Sequence, residues 1–265
     1  QQVPNKYKYV LWTGIAFNHN DKNAPWAKNY SPFGNDLLKY ENFWGNRLRL
    51  YYNAFNNPHD KNKFGLIVLD IEAKRHVSSL NSAPPSRQAN DNRKEYNELY
   101  KIEMAHLYNK PLKYARSFFN HYSRWSSYAD VPIERTWWNI PKKSWKEWTS
   151  KSDNLNYITH YRGNNGTINE TDFYKSLDFL SVSSYYFYNP KYNNKVEANK
   201  YLAYMLFQLE VNQAWSKKPI YLYFTFRYNG KKEWNTYIDH NMVKNSVIFA
   251  FLSGADGMVL YDNKK

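Results

Sequence analysis

The chain has 265 residues, enough for a sizeable hydrophobic core and suited to one domain of barrel size. Lysine and arginine outnumber aspartate and glutamate by 37 to 23, a formal charge of +14 that attracts polyanions, but no dense basic run or basic helix typical of nucleic-acid binding is present. The absence of cysteine excludes a disulfide framework, a thiolate nucleophile and a cysteine-ligated metal site, and no stretch reaches the roughly 18 apolar residues of a membrane span.

Aromatic residues make up 19% of the chain, with 26 Tyr, 15 Phe and 10 Trp. About half of them are expected to fill strands, where aromatic side chains are favoured. The excess predicts flat surfaces for a ligand, and together with the positive charge it favours an anionic polysaccharide over nucleic acid. Missing cysteines indicate a bacterial origin or an intracellular site. The start at Gln1, which lacks an initiator Met, is typical of a processed protein, so we expect a secreted or periplasmic monomer.

Strand-like runs alternate with helical periodicity along the chain. The predicted strands are Tyr7–Phe17, Arg47–Phe55, Phe64–Glu72, Glu134–Ile140, Asn156–Tyr161, Leu177–Tyr188, Pro219–Tyr228 and Gly257–Asp262. The predicted helices are Arg93–Phe119, interrupted or restarted near Pro111, then Val196–Trp215 and Asn241–Ser253. This alternation predicts an α/β fold, a (β/α)8 barrel of the TIM type that forms one catalytic domain over residues 1–265. Because no covering helix follows the last strand, we expect the barrel to be incomplete or irregular at its C-terminus.

Two carboxylates end the apolar run GLIVLDIE, namely Asp70 and Glu72. Residues two apart on a strand point the same way, and barrel enzymes place their chemistry at the C-terminal strand ends. Because two close carboxylates repel, one of them is expected to hold a proton and to serve as a general acid, as glycosidic bond cleavage requires. A structural role is the alternative, in which Lys74 or Arg75 neutralises the pair.

The order of blocks along the chain resembles the hyaluronidases, glycoside hydrolase family 56. That family has an apolar strand ending in Asp-x-Glu, followed by a long helix, an aromatic strand ending in Pro, a strand with Ser-x-Tyr, a Lys-Lys-led aromatic strand and a Gly-Ala-Asp-Gly turn. The counterparts here are GLIVLDIE, Lys94–Phe119, TWWNIP (Thr136–Pro141), LDFLSVSSYYFY (Leu177–Tyr188), KKPIYLYFTF (Lys217–Phe226) and SGADGMVLYD (Ser253–Asp262). The resemblance implies a barrel that hydrolyses an acidic polysaccharide from within its chain.

Specific roles follow from the resemblance. Glu72 matches the proton donor of the family, and Asp70 matches the carboxylate that orients the N-acetyl group of the substrate, whose acetamido oxygen is the nucleophile. Tyr185 matches the Tyr beside that acetamido group, and Tyr261 stands where the family has a Trp on the groove floor. This chain departs from the family in the residues after Glu72, which read Ala73-Lys74-Arg75-His76, and in its lack of disulfides.

Further residues are predicted to hold the polysaccharide, because indole and phenol rings stack on sugar faces and charged groups meet its acidic substituents. The predicted substrate-binding residues are Trp12, Arg75, Trp137, Trp138, Tyr186, Tyr223, Tyr261 and Asp262. Trp145 and Trp148 belong to the same tryptophan cluster, which could equally anchor a loop. At least two aromatics of SSYYFY are expected to be only core residues.

No two histidines have the close helical spacing of a metal site, so we expect neither metal nor cofactor. His19 and His160, which each follow an aromatic strand, are candidate acid–base helpers. The sequons Asn165-Gly-Thr167 and Asn169-Glu-Thr171 lie in a polar segment that predicts an exposed turn.

Two alternatives remain open. A sulfated fucan or galactan lacks N-acetyl groups, so its hydrolase would need a direct carboxylate nucleophile, for which Asp262, Asp178 and Glu134 are the strand-end candidates. The chain could also be a glycan-binding barrel without catalytic activity.

Overall fold

A computed structural model describes residues 9–12, 42, 44–46, 48–50, 64–71, 93–118, 124–134, 143–186, 195–229 and 236–261. The strands in these ranges are β1 Tyr9–Trp12, β2 Phe64–Leu69, β3 Arg124–Ser127, β4 His160–Arg162, β5 Ile168–Glu170, β6 Leu180–Ser183, β7 Ile220–Phe224 and β8 Gly257–Leu260. The α-helices with both ends in the described ranges are α1 Arg93–Phe118, α2 Trp145–Ser150, α3 Asp172–Ser176, α4 Lys195–Gln213 and α5 His240–Leu252, and residues 42, 44–46 and 48–50 are helical too. A 3-10 turn covers Ser152–Asn154.

Contacts divide the chain into two compact units. The first comprises Gln1–Tyr128 and Tyr157–Asp178, and the second comprises Ala129–Asn156 and Phe179–Lys265. In the first unit β1, β2 and β3 form a parallel sheet in that order, while β4 and β5 form an antiparallel hairpin. In the second unit β6, β7 and β8 form another parallel sheet, with α4 and α5 as the crossover helices between successive strands.

The central strand of the first unit, β2, has a sequence suited to burial on both faces. The run from Leu66 to Leu69 is continuously apolar, and each of its four residues is buried. Such runs are typical of parallel strands with neighbours on both sides. The register pairs Val68 with Ser126 and Leu69 with Ser127, so the small hydroxyl residues of β3 face the branched side chains of β2.

Helix α1 runs without interruption through Pro111, contrary to the predicted break. Proline removes one backbone hydrogen bond from a helix interior and strains the preceding turn. The side chains around it compensate by packing, since Tyr108 and Leu112 are fully buried. Tyr108 meets Phe173 of α3 edge to face, with ring centroids 5.6 Å apart. Burial of this helix face therefore outweighs the local cost of the proline.

Two aspartates fix the N-terminal ends of strands by the same arrangement. In the first unit the Asp178 carboxylate accepts from the Trp125 N–H at 2.8 Å, while the Asp178 N–H donates to the Trp125 carbonyl at 2.8 Å. In the second unit the Asp256 carboxylate accepts from the Ile220 N–H at 2.8 Å, while the Asp256 N–H donates to the Ile220 carbonyl at 2.9 Å. Each aspartate thus closes a ring of two hydrogen bonds with one residue of a neighbouring segment.

The predicted helices and most of the predicted strands are confirmed within the described ranges. The confirmed strand segments lie in the predicted runs starting at Tyr7, Phe64, Leu177, Pro219 and Gly257. The predicted strand Arg47–Phe55 is wrong at residues 48–50, which are helical. Asn156–Tyr161 is also wrong over most of its length, because only His160 and Tyr161 belong to a strand. Residues 135–140 of the predicted strand Glu134–Ile140 lie outside the described residues.

The parallel α/β organisation is confirmed, but the described strands form two three-stranded sheets and a hairpin without a closed barrel. None of the helices in the described part of the chain is long and apolar enough to cross a membrane.

Replacing Asp178 with Ala should lower the free energy of unfolding by about 1 to 2 kcal/mol, because the Trp125 N–H loses its acceptor and Arg116 loses a partner at 2.9 Å. Asp172→Ala is the matched control, since that carboxylate meets Lys175 only at 3.8 Å in an exposed pair. We expect this control to cost no more than about 0.5 kcal/mol. Urea unfolding of both variants measures the difference, and equal stabilities would contradict the bracing role of Asp178.

Candidate functional site

Asp70 lies directly after β2, at the C-terminal edge of the sheet in the first unit. Its side chain is only 4% exposed, and Ile71 beside it is fully buried. The end of the strand is fixed by the Leu69 carbonyl, which accepts from the Tyr128 N–H at 2.8 Å and from the Ser127 hydroxyl at 3.3 Å. The sequence thus places a buried carboxylate at the sheet edge where parallel α/β proteins carry their chemistry.

Glu72, two residues beyond Asp70, lies outside the described residues, so its position next to Asp70 stays a prediction. Five other candidate residues also lie outside the described residues, namely His19, Arg75, Trp137, Trp138 and Asp262. Trp12 is the last residue of β1, where its backbone pairs with Val68 of β2. The backbone therefore brings Trp12 to the same sheet as Asp70.

In the second unit, Tyr185 and Tyr261 lie beyond the C-terminal ends of β6 and β8. Their ring centroids are 6.3 Å apart with an interplanar angle of 35°, and both residues are half-buried. The Tyr261 N–H donates to the Phe224 carbonyl at 2.8 Å, which extends the pairing of β8 with β7. The two rings therefore form an aromatic pair at one edge of the β6–β7–β8 sheet, with faces suited to stacking on a sugar ring.

Helix α4 fixes the segment that carries Tyr185. The Ser183 carbonyl accepts from the Tyr204 hydroxyl at 3.3 Å and from the Gln208 amide at 3.1 Å. The Ser184 carbonyl accepts from the Tyr201 hydroxyl at 2.9 Å. Burial raises the pKa of Tyr201 well above its usual range, so this hydroxyl stays a neutral donor. Sequence reasoning missed this network, whose only signal is the helical spacing of the three α4 residues.

On the other side, β7 holds the same segment. The Ser184 N–H and hydroxyl both donate to the Tyr223 carbonyl, at 3.1 and 2.6 Å. The Asn229 N–H donates to the Tyr186 carbonyl at 2.8 Å. Hydrogen bonds to Ser184 and Tyr186 thus hold the backbone in place on both sides of Tyr185.

Tyr186 and Tyr223, predicted to bind substrate, are core residues in the structure, with exposures of 4% and 1%. The Tyr186 ring packs between Tyr201, with centroids 4.3 Å apart, and Tyr228, with centroids 4.9 Å apart. A ring covered on both sides offers no face to a sugar. The aromatic alternation of SSYYFY therefore places Tyr185 at the half-buried edge and Tyr186 in the core.

Trp145 and Trp148 anchor α2 to α4 in the second unit. Both rings meet Phe207 edge to face, with centroids 5.4 and 5.5 Å apart. Trp148 is buried with Ile133, Phe207 and Val211, and the Trp145 indole N–H donates to Glu210. Of the two interpretations of the tryptophan cluster, the structure favours the loop anchor for these two members.

His160 is a neutral core residue instead of an acid–base helper. It lies in the β4–β5 hairpin, is 6% exposed, and packs on Tyr174 with ring centroids 4.7 Å apart. Its Nδ1 lies 3.0 Å from the Thr159 hydroxyl. Burial lowers the pKa of His160 from 6.5 to about 4, so the ring carries no charge near neutral pH.

The two other candidate carboxylates that the structure describes, Asp178 and Glu134, have structural partners. Asp178 precedes β6, so it lies at the N-terminal end of that strand and not at the C-terminal end that a nucleophile requires. It is engaged by Trp125 and Arg116, as described above. Glu134 accepts from the Asn156 amide at 3.4 Å. Within the described ranges no group of three or more metal-ligating side chains could hold a metal ion.

Comparison with solved structures identifies a similar fold. Two crystal structures of bee venom hyaluronidase, one a monoclinic crystal and the other a complex with a hyaluronic acid tetramer, each match the chain with a TM-score of 0.52. Sequence identities are 14% and 16%, and the matches cover 89% of this chain and 73% and 71% of those chains. At such identities the likeness concerns the fold, and at that level it supports the resemblance predicted from the block order. No protein-family model and no curated protein matches the chain.

Because the buried His160 binds its proton less readily than it would in the unfolded chain, acidification should destabilise the protein. The unfolded chain takes up this proton near pH 6.5 and the folded chain only near pH 4. The contribution of His160 to the free energy of unfolding is therefore fully present above pH 6.5. It is lost as the pH falls from 6.5 to 4, by on the order of 2 to 3 kcal/mol.

Urea unfolding at pH 7 and pH 4 measures this loss. His160→Phe, which keeps a ring on Tyr174 but does not titrate, should show a smaller loss over the same interval. His106→Gln, at an exposed position, is the control and should behave as the wild type. A wild-type loss equal to that of His160→Phe would contradict the assignment.

Proposed function

We propose that the chain is a (β/α) barrel glycoside hydrolase that cleaves an anionic polysaccharide from within its chain. The observation that carries the proposal is the burial of Asp70 at the C-terminal end of β2, in a chain whose fold is similar to that of bee venom hyaluronidase. A carboxylate is costly to bury, and Asp70 is buried at the strand end where barrel enzymes carry their chemistry, which supports a functional role for it. By the block order of the sequence, the run that forms β2 and ends at Asp70 matches the strand ending in Asp-x-Glu of the family that the sequence resembles.

In the proposed mechanism Glu72 is the general acid/base. It donates a proton to the glycosidic oxygen as the bond breaks, because an alkoxide is a poor leaving group at neutral pH. Asp70, held by its rigid strand end, orients the acetamido group of the substrate, whose oxygen attacks the anomeric carbon. Glu72, now a carboxylate, then takes a proton from a water molecule. The oxygen of that water attacks the anomeric carbon and opens the cyclic intermediate. Groups held in fixed positions lower the activation free energy mainly because the entropy of orienting the reacting groups has already been lost before the reaction.

Tyr185 and Tyr261 are proposed to bind the substrate. Half-burial leaves part of each ring accessible, and the hydrogen bonds of α4 and β7 to Ser183 and Ser184 hold Tyr185 in place. By the resemblance, Tyr185 takes the place of the Tyr beside the acetamido group, and Tyr261 takes the place of a Trp on the groove floor. Tyr186 and Tyr223 take no part in this proposal because they are buried.

The substrate is proposed to be a uronic-acid-containing polysaccharide with N-acetyl groups, such as hyaluronan. The formal charge of +14 supports an acidic substrate. The alternative, a sulfated fucan or galactan hydrolase with a direct nucleophile, is less well supported, because Asp178 lies at the wrong end of its strand. Glu134 and Asp262 remain its candidates.

Glu72→Gln should lower kcat on hyaluronan by about 10²- to 10⁴-fold while leaving oligosaccharide binding nearly unchanged, because only the transferable proton is lost. Release of reducing ends measures turnover, and calorimetry measures binding. Glu134→Gln is the matched control, since Glu134 is one of the two remaining candidates for the direct nucleophile. We expect this variant to retain turnover.

Two outcomes would decide against the proposed role. Full turnover of Glu72→Gln would exclude Glu72 as the proton donor. Binding of hyaluronan without turnover by the wild type would favour the glycan-binding barrel without catalytic activity.

Added salt should lower the activity on long polymers mainly by raising KM, because the attraction of a long polyanion to a basic surface is screened at high ionic strength. Between low salt and about 0.5 M NaCl, we expect KM for long hyaluronan to rise several-fold and kcat to change little. A hyaluronan tetrasaccharide, with few charges, is the control and should respond less. If KM for the long polymer is indifferent to salt, electrostatic recruitment is wrong.

A further inference from the structure

The turn between β4 and β5 presents one of two neighbouring sequons to solvent. An Asn-x-Thr motif can accept an oligosaccharide on the amide nitrogen of its Asn when the protein is exported through a compartment that holds the transferase. Asn165, Gly166 and Thr167 are all exposed, whereas Asn169 is half-buried and Thr171 is 6% exposed. The two motifs therefore differ in accessibility although they lie only four residues apart.

The side chain of Asn165 is held in a defined orientation. Its Oδ1 accepts from the Thr167 N–H at 3.1 Å and from the Thr167 hydroxyl at 2.6 Å. Both bonds draw electron density towards the oxygen, which increases the acidity of the amide N–H groups. No acceptor among the described residues engages Asn165 Nδ2, the atom that would receive the sugar.

The tip of the turn also has room for a bulky modification. The Gly163 N–H donates to the Thr167 carbonyl at 2.8 Å and the Gly166 N–H donates to the Gly163 carbonyl at 2.9 Å, so the turn is closed from within. Gly166 has a φ of +80°, and a side chain added there would meet no atom within 4 Å. Space beside Asn165 is therefore open to solvent.

Asn169 presents the opposite situation. Its Nδ2 donates to the Thr167 hydroxyl at 3.4 Å and lies 2.7 Å from the point where a Cβ on Gly163 would stand, so it faces back into the turn. The Thr171 hydroxyl of that sequon donates to the Ile158 carbonyl at 2.6 Å and accepts from the Tyr174 N–H at 3.1 Å as the cap of α3. A glycan on Asn169 would have to disrupt the hairpin.

We propose that Asn165 is a site of N-linked glycosylation and that Asn169 is not. The donor is an oligosaccharide linked to a lipid pyrophosphate. Asn165 Nδ2 attacks the anomeric carbon, a C–N bond forms, and the C–O bond to the phosphate breaks with its electron pair leaving on the lipid pyrophosphate. The proton lost from Nδ2 passes to a base of the transferase. This modification is independent of the proposed hydrolase activity.

Expression of the whole chain behind a secretion leader in insect cells tests the proposal. Enzymatic removal of N-glycans in ¹⁸O water converts each glycosylated Asn into labelled Asp, which peptide mass spectrometry locates. The wild type should carry the label at position 165 and not at position 169. Mapping by peptide is needed because a third sequon, Asn29-Tyr30-Ser31, lies outside the described residues.

Matched variants separate the two sequons. Asn165→Gln and Thr167→Ala should lose the label at position 165, while Thr167→Ser and Asn169→Gln should keep it. Both the secreted and the cell-retained fractions are mapped, so poor secretion of a variant does not hide the result. Label at position 169, or an unlabelled Asn165 in both fractions of the wild type, would overturn the proposal.

Discussion

Parallel pairing of strands is the constraint on which the rest of the structure depends. A parallel neighbour can form only after the chain has crossed back over the sheet, so successive strands end at the same edge. In the first unit this edge carries Asp70 after β2, and in the second it carries Tyr185 and Tyr261. The opposite ends are tied by Asp178 and Asp256, each bound twice to one backbone residue. The aspartates that brace the sheets and the buried Asp70 thus lie at opposite ends of the strands.

Much of the fold could be predicted from the sequence wherever burial determines the local pattern. The run Leu66–Leu69 in β2 and the periodic apolar face of α4, which includes the buried Met205 and Leu209, predicted the right elements because burial determines their pattern. The short strand β3, Arg124–Ser127, was missed because the serines in RWSS carry no strand signal, although β2 beside them makes Ser126 and Ser127 core residues. Arg47–Phe55 was predicted as a strand-like run, whereas residues 48–50 are helical. In both cases tertiary contacts outweigh local propensity.

The candidate site was predictable only in part, because sequence gives the residue types at a strand end but not their partners. Asp70 could be found from its position after an apolar run. Sequence alone could not show that Tyr186 is packed between Tyr201 and Tyr228 while Tyr185 stays half-buried. The two residues are adjacent tyrosines with the same chemistry. The hydrogen bonds from Tyr201, Tyr204 and Gln208 to the end of β6 were not predictable either, because they depend on how α4 lies over that strand.

The central claim is that the substrate supplies its own nucleophile through its acetamido group while protein carboxylates position and protonate it. The most direct measurement compares reducing-end release from three polymers of equal chain length. The first is hyaluronan, the second is N-deacetylated hyaluronan, and the third is the N-deacetylated polymer after N-formylation, which restores an amide oxygen. The account predicts cleavage of the native and formylated polymers and none of the free amine. Equal cleavage of all three polymers would contradict it.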